Sequence, residues 1–393
     1  ERAFASFDHE EVVPFQPLKG LTGNHDLQVM ELFHGPTLAF KDVALQLLGQ
    51  LFEYILEERD EHLNILGATS GDTGSAAIAG VRGLPSVDVF IMFPEGRVSP
   101  LQERQMTTIP DDNVHCLSVT GSFDDCQGIM KGLFADAEAK STLSLGAVNS
   151  VNWARVLAQI VYYGYASLKF AAAEPVSFSV PTGNFGNVFA AYLAKRMGFP
   201  IDRLIIATND NDILARFFAT GRYERGTVHH TISPAMDIQV ASNFERYLYY
   251  HFGEDPVALR TFMERFAAEG LAALDGIPET EDFLATAVNE ADVRATIRRV
   301  FEENGYLVDP HTAIGIAAAG RYKVPGVQVC AATAHPAKFP ESVNEAVGQE
   351  LARHPTLDAL VDLPVRKTRL DPDPQDVRAF LEAHSSRPVA QES

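Results

Sequence analysis

The feature that most constrains the fold of this chain is a repeated alternation of short β-rich runs with helical stretches. Each run is apolar and is followed by a turn and then by residues with helical spacing. The runs are LNILGA (63–68), VDVFIMF (87–93), VHCLSV (114–119), VSFSV (176–180), RLIIAT (203–208) and VQVCAAT (327–333). Strand, turn and helix repeated in this way predict parallel sheets wrapped by helices. The chain is therefore expected to be an α/β protein.

The positions of the runs predict two parallel-sheet lobes with flanking helices. The strands near 63–119 are expected in one sheet and those near 176–333 in the other. An active site is expected in the cleft between the lobes, at the carboxyl ends of their strands. The Pro- and Asp-rich end from about residue 371 predicts a peripheral tail. The expected domains are an N-terminal segment (1–60), a small α/β domain (61–148) and a large α/β domain (149–393).

Charge and cysteine content narrow the possible functions. The chain has 32 basic and 52 acidic residues, a formal net charge of -20, and such an acidic chain is expected to repel nucleic acid and anionic membranes. It has no long uncharged apolar run suited to a membrane span. Three scattered cysteines predict neither a disulfide framework nor a metal site, and they favour a reducing cytoplasm. These totals argue against nucleic acid and membrane partners, and they leave the oligomeric state open.

One lysine has an unusual setting, in the stretch ELFHGPTLAFKD (31–42). Apolar residues at helical spacing predict a helix over 37–58, with Thr37 as its N-cap and Lys41 in its first turn. The helix macrodipole disfavours an ammonium there, and apolar neighbours add a desolvation cost. Both effects favour the neutral amine that a Schiff-base lysine needs. The alternative is a lysine that snorkels to the surface.

Two turns that follow predicted strands are suited to anions. PTGNFGN (181–187) opens a helix and combines glycines with free N–H groups, which suits a single phosphate. An ordinary strand–helix turn is an equal alternative. ATSGDTGSAA (68–77) offers hydroxyl and backbone donors to a carboxylate or phosphate. Its alternative is that Ser70 or Asp72 only caps the helix.

A third stretch, NSVNWARVLAQ (149–159), adds a guanidinium to two amides and a hydroxyl. Arg155 in an early helical turn can fork onto a phosphate or carboxylate, unless it is simply solvated. The three stretches suited to anions and the lysine in an apolar first turn are together typical of a single binding site. The cofactor that requires a lysine and a single phosphate cradle is pyridoxal phosphate.

The motifs FHGPTLAFKD, TSGDTG, NSVNWAR, VPTGNFGN, ATND and TAHPAKFPES together resemble the threonine synthase family, from about residue 28 to about 345. The resemblance implies a fold-type II pyridoxal phosphate enzyme, a lyase of threonine biosynthesis. It implies the conversion of O-phospho-L-homoserine and water to L-threonine and phosphate by γ-elimination and β-addition. It also implies that Lys41 is the catalytic residue and holds pyridoxal 5'-phosphate as a Schiff base.

The resemblance implies further roles for residues in the same motifs. The cofactor would be bound by Asp72, Gly183, Asn184, Phe185, Gly186, Asn187 and Thr333. The substrate would be bound by Ser70, Thr73, Asn149, Ser150 and Arg155. Within the motif TAHPAKFPES, Lys338 has two open interpretations, an anion contact or a solvated charge at a helix start.

Three alternatives remain open from the sequence. One is a related pyridoxal phosphate enzyme, either a phospho-lyase or a threonine/serine dehydratase, that yields 2-oxobutyrate. Another is a catalytically silent homologue that binds pyridoxal phosphate. The third is an unrelated phosphate-binding α/β protein, which would not bind the cofactor through a lysine.

Overall fold

The computed structural model describes residues 2–22, 27–69, 71–172, 174–278 and 281–386. The helices are α1 (Lys41–Arg59), α2 (Asp72–Val81), α3 (Pro100–Thr107), α4 (Phe123–Ala135), α5 (Ala137–Thr142), α6 (Trp153–Phe170), α7 (Gly186–Arg196), α8 (Ile213–Thr220), α9 (Phe244–His251), α10 (Pro256–Glu269), α11 (Glu290–Asn304), α12 (Pro310–Arg321), α13 (Pro340–Val347), α14 (Pro355–Asp358) and α15 (Pro374–His384). The strands are β1 (Phe15–Leu18), β2 (Leu27–Glu31), β3 (Leu63–Ala68), β4 (Val87–Pro94), β5 (Val114–Val119), β6 (Leu145–Gly146), β7 (Val176–Pro181), β8 (Ile201–Thr208), β9 (Arg222–Glu224), β10 (Leu271–Ala273), β11 (Phe283–Ala287), β12 (Gln328–Ala332) and β13 (Thr368–Leu370). Within these described ranges, none of the helices has the length and apolar character that a membrane span requires.

The chain folds into two compact units, and each is built from separated pieces of sequence. The first unit comprises Glu1–Asp8, Gly35–Asn152 and His354–Ser393. The second comprises His9–His34 and Trp153–Arg353. This division differs from the contiguous blocks expected from the sequence, because β2 and β13 join sheets whose other strands lie far away in the chain.

The sheet of the first unit has the order β13-β5-β4-β3-β6, and all its neighbouring strands are parallel. Its central strand β4 is buried along its whole length, as expected for a continuous apolar run covered on both faces. The strands predicted at 63–68 and 114–119 are confirmed at those residues. The α/β class predicted for this part of the chain is therefore confirmed.

The main sheet of the second unit has the order β1-β2-β12-β7-β8-β11. Only the β1–β2 pair is antiparallel in this sheet, and the remaining pairs are parallel. The predicted runs at 176–180, 203–208 and 327–333 form the adjacent strands β7, β8 and β12, which confirms their assignment to one sheet. A separate antiparallel pair consists of β9 and β10.

The prediction of a peripheral tail from about residue 371 is wrong. The segment contains α15, whose Val377 and Leu381 are fully buried in the core of the first unit. Just before it, β13 pairs with β5 at the edge of the sheet. The Pro and Asp residues that suggested a tail begin the helix, since Asp373 caps its first turn and Pro374 is its first residue.

We expect Leu381→Ala to lower the free energy of unfolding by about 2–5 kcal/mol, because it leaves a cavity in a closed core. Urea denaturation followed by circular dichroism measures this change. Leu363→Ala is the matched control, since Leu363 is an exposed leucine of the same C-terminal region. Equal small effects for both variants would mean that α15 is not part of the core.

Candidate active site

A buried carboxylate shapes the turn that presents Lys41. Asp42 is fully buried and accepts hydrogen bonds from the Thr37 hydroxyl at 2.7 Å and the Thr37 backbone N–H at 2.9 Å. It also accepts a longer bond from the backbone N–H of Ala39, at 3.5 Å. Leu38 at the centre of this turn has a left-handed φ of 59°. The predicted N-cap is therefore wrong, because α1 begins at Lys41 after Phe40, and Thr37 binds Asp42 instead.

Lys41 lies in a setting that is more polar than its apolar sequence neighbours suggest. Its side chain is 12% exposed, and its Nζ lies 3.5 Å from Oδ2 of Asp72. The ring of Phe40 is 5.0 Å away on another side. The other carboxylate oxygen of Asp72 accepts a hydrogen bond from Nε2 of Gln102 at 3.0 Å. The structure thus brings Lys41 and Asp72 together, and it adds a residue, Gln102, that sequence reasoning missed.

The turn between β3 and α2 is closed by Thr69. Its hydroxyl oxygen accepts from the backbone N–H groups of Gly71 and Gly74, at 3.1 and 3.0 Å. Gly71 has a φ of 157°, a conformation that L side chains rarely adopt, and an added Cβ would lie 2.6 Å from Oε1 of Gln102, so any other residue would be strained there. Thr73 lies in the first turn of α2 and is half-buried. Ser70, the other predicted substrate contact in this turn, lies outside the described residues.

Asn149 and Ser150 follow β6 at the same edge of the first sheet. In this sheet β6 and β4 flank β3, so the segments after these three parallel strands emerge side by side. Asn149 is exposed and Ser150 is half-buried. The first unit therefore gathers Lys41, Asp72 and Thr73 with a set of hydroxyl and amide groups at one sheet edge.

In the second unit the predicted phosphate turn follows β7, a central strand of the sheet. Phe185 has a left-handed φ of 65° and stands before α7 without a side-chain cap to the helix. Its buried ring packs against Phe244, Tyr247 and Phe283, with ring centroids 5.1, 5.8 and 6.0 Å away. A helix that starts without a capping side chain presents its backbone N–H groups to an incoming anion.

Close packing also limits the composition of this turn. A Cβ added to Gly183 would lie 2.9 Å from the carbonyl oxygen of Ala235, closer than real Cβ atoms approach backbone. Oδ1 of Asn184 accepts from the Ser242 hydroxyl at 3.1 Å, and its backbone oxygen accepts from the Asn243 N–H at 3.1 Å. The segment around 235–243 therefore holds this turn from one side.

Asn187 is the second residue of α7 and is held by two tyrosines that the sequence did not single out. Oδ1 of Asn187 accepts from the Tyr162 hydroxyl at 2.5 Å and from the Tyr163 hydroxyl at 2.9 Å. Nδ2 of Asn187 is buried and has no hydrogen-bond partner among the described residues. The position of Tyr162 and Tyr163 in the middle of α6 did not indicate this role, because tyrosines in the middle of a helix usually only pack in the core.

Arg155 lies on the same helix as these tyrosines and is only 3% exposed. Burial lowers the pKa of its guanidinium to about 10, and the nearby Tyr162 hydroxyl acts in the opposite direction. The group therefore stays charged at neutral pH. The solvated alternative for Arg155 does not hold, and a buried cation of this kind favours a nearby anion.

Thr333 follows β12, the strand next to β7, and is buried at the same edge of the second sheet. Lys338 is also buried, at 4% exposure, so its solvated interpretation is wrong. Nδ1 of His335 accepts from the backbone N–H of Ala337 at 3.1 Å. In the part of the chain that the structure describes, no three His, Cys, Asp or Glu side chains are placed to bind a metal.

Comparisons with known proteins identify the class to which this fold and site belong. The family described as pyridoxal-phosphate dependent enzyme matches residues 7–277, and the family described as threonine synthase, C-terminal, matches residues 312–381. The chain is thus a member of the pyridoxal-phosphate-dependent enzymes. Threonine synthase of Pseudomonas aeruginosa is 48% identical over 98% of this chain and 83% of its own length. Threonine synthase of Saccharomyces cerevisiae is 45% identical over 88% of this chain and 74% of its own.

Solved structures agree with these sequence relatives. The crystal structure of pyridoxal-phosphate-bound threonine synthase from Brucella melitensis is 47% identical with a TM-score of 0.92, covering 98% of this chain and 83% of that one. The yeast threonine synthase structure is 41% identical with a TM-score of 0.89, with the same coverage. Within its class, the chain belongs to the threonine synthase family.

The residues present fit the cofactor of this class. A buried amide N–H₂ of Asn187 has no acceptor among the described residues, and the α7 N-terminus has no side-chain cap. Both features suit a phosphate. The amine of Lys41, whose side chain is 12% exposed, suits an aldehyde.

We expect Asp42→Ala to lower the free energy of unfolding by about 3 kcal/mol, because it leaves the donors of Thr37 buried without their charged acceptor. Urea denaturation measures the change. Asp112→Ala is the control, since Asp112 is fully exposed and its loss should change stability by less than about 0.5 kcal/mol. A loss below about 1 kcal/mol for Asp42→Ala would contradict the role of its carboxylate in the turn.

Proposed function

We propose that the protein is a threonine synthase that uses pyridoxal 5'-phosphate to convert O-phospho-L-homoserine and water to L-threonine and phosphate. The observation that supports this proposal is the largely enclosed amine of Lys41, 3.5 Å from Asp72 at the carboxyl edge of β3. Family membership supports the same reaction. When bound, the cofactor supplies the electron sink that stabilises negative charge on the amino-acid carbons.

Lys41 is the catalytic residue in this proposal. Its Nζ would hold the cofactor aldehyde covalently, and its neutral amine would move the α-proton and then a β-proton of the substrate. The Asp72 carboxylate, 3.5 Å from Nζ, would share a proton with the phenolic oxygen of the cofactor. Gln102 donates to the other oxygen of Asp72 and so fixes the direction of the carboxylate.

We assign the cofactor phosphate to the turn at the start of α7. Its backbone N–H groups and the Asn187 amide are the donors, and Phe185 sets the backbone conformation that aims them. Thr333 would place its hydroxyl towards the pyridine nitrogen and leave that nitrogen unprotonated. The residues of this cradle are Gly183, Asn184, Phe185, Gly186 and Asn187.

The substrate contacts are also part of the proposal. Ser70 and Thr73 would bind the substrate carboxylate and nearby oxygens. Asn149, Ser150 and Arg155 would bind the substrate phosphate, where the buried guanidinium stabilises charge on the leaving group. Water then adds at the β-carbon, and the Lys41 amine returns the protons.

A cytoplasmic location belongs to the proposal. Cys116, Cys126 and Cys330 are all free and buried. Burial raises the pKa of the Cys116 thiol to about 12 and that of Cys126 to about 11. Free, unreactive thiols are typical of proteins that work in a reducing compartment.

The reaction is tested by incubating the cofactor-loaded protein with O-phospho-L-homoserine and measuring threonine, phosphate and 2-oxobutyrate together. We expect threonine and phosphate in equal amounts, with little 2-oxobutyrate. Phosphate with mainly 2-oxobutyrate would instead identify a phospho-lyase. Formation of 2-oxobutyrate from threonine alone would identify a dehydratase.

In the same assay Lys41→Ala should lower turnover by about a hundred- to ten-thousandfold, which is the loss expected when a proton-transfer group is removed. The variant should also lack the absorbance band near about 410 nm that a lysine-bound cofactor gives. Lys131→Ala is the control, because Lys131 is exposed on α4. Turnover that survives in Lys41→Ala would remove the proposed mechanism.

Arg155→Ala should lower kcat/KM for O-phospho-L-homoserine by roughly a hundredfold or more, because a buried charge partner of the phosphate is lost. Cofactor affinity, measured by titration of the absorbance band, should change much less. Arg155→Lys should recover part of the activity, and Arg222→Ala, which removes an exposed arginine, should have no effect. Equal losses in kcat/KM and cofactor affinity would show that Arg155 does not act on the substrate.

A further inference from the structure

Two buried tyrosines and one asparagine form a hydrogen-bonded cluster next to the cradle. Tyr162 and Tyr163 lie in the middle of α6 and both are buried. Their hydroxyl groups converge on a single atom, Oδ1 of Asn187. The ring of Tyr163 also packs against the ring of Phe178 in β7, with the ring centroids 5.0 Å apart and the two planes nearly perpendicular.

The hydrogen bonds define the orientation of the Asn187 amide. The structure places Oδ1 of Asn187 towards both tyrosine hydroxyl groups, and each hydroxyl donates to it. A carbonyl oxygen has two lone pairs, so two O–H donors saturate it.

The rest of the amide then has a fixed direction. With Oδ1 held by both tyrosines, the N–H₂ group of Asn187 points away from α6. It is buried and lacks an acceptor among the described residues, an arrangement that is unfavourable unless a ligand supplies one. Asn187 also stands in the first turn of α7, where an anion is favoured.

The two hydroxyl groups remain donors over the whole working pH range. Burial raises the pKa of Tyr162 well above its ordinary value, although the charge of Arg155 opposes the shift. Burial likewise raises the pKa of Tyr163. Neither phenol therefore ionises in this range, and both keep the proton that they donate to Oδ1 of Asn187.

We propose that Tyr162 and Tyr163 are positioning residues that lock the Asn187 amide with its N–H₂ group towards the cofactor phosphate. The inference rests on the proposed function, because it assigns the phosphate of pyridoxal phosphate as the missing acceptor. Without the two hydroxyl groups, the amide is free to rotate and present its oxygen to the phosphate, which repels it. The tyrosines therefore set how strongly the site prefers a phosphorylated cofactor.

The test compares pyridoxal phosphate with pyridoxal, which has the same aldehyde and no phosphate. Both bind Lys41 in the same way, so the ratio of their dissociation constants isolates the contribution of the phosphate. We expect Tyr162→Phe with Tyr163→Phe to reduce this preference roughly ten- to hundredfold, with pyridoxal affinity nearly unchanged. Tyr165→Phe, on the same helix but half-exposed, is the matched control and should keep the wild-type preference.

Two further variants show whether the tyrosines act through Asn187. Asn187→Asp keeps an acceptor for both hydroxyl groups but replaces the N–H₂ donor with a carboxylate oxygen, so it should reduce the preference most. In an Asn187→Ala background, the tyrosine substitutions should have no further effect on the ratio. The single variant Tyr162→Phe serves if the double variant does not fold, as checked by circular dichroism.

The outcomes separate the inference from the proposed function. A wild-type protein that binds no pyridoxal phosphate overturns both. A wild-type preference for the phosphorylated form that survives the tyrosine substitutions overturns the inference alone. An equal loss of affinity for pyridoxal and pyridoxal phosphate also overturns it, since that result would mean a merely structural role.

Discussion

Parallel strand pairing is the constraint on which the candidate residues of each unit depend. When strands run in the same direction, the segments after them leave the sheet at a single edge. In the first unit this edge carries the turn of Asp72 and Thr73, and in the second it carries the turn of Asn187 beside Thr333. Within each sheet, segments that are far apart in sequence therefore leave from the same edge. The long apolar runs that form these strands thus determine where polar chemistry is placed.

An acidic protein that binds phosphorylated molecules must rely on local donors, because its overall charge of -20 repels them. The structure supplies such donors at a conformational cost. Phe185 adopts a left-handed conformation, which costs about 1–3 kcal/mol for a residue other than glycine. Its ring contacts with Phe244, Tyr247 and Phe283 are each worth about 0.5–1.5 kcal/mol and offset that strain. A stiff aromatic cluster therefore keeps the turn open in a shape that the backbone alone would not hold.

Features encoded by local sequence were predictable, and features made by distant pairing were not. The runs at 63–68 and 114–119 gave the right strands, because apolar periodicity depends only on neighbouring residues. The strand β13 and the helix α15 were missed, since their partners lie far away in the chain. At the site, Lys41 stood out by its setting in the sequence. The hydrogen bonds of Tyr162 and Tyr163 to Asn187 join different helices, and nothing in the local sequence marks them.

The discontinuous first unit has a consequence for biosynthesis. Its sheet receives the edge strand β13, and its core receives Val377 and Leu381, from a segment that the ribosome makes after residue 353. Domains made of one continuous segment can fold as they emerge during translation. Here the unit that carries Lys41 cannot close its core until the second unit has been synthesised in full. Lys41 is therefore translated well before the residues that complete the core of its own unit.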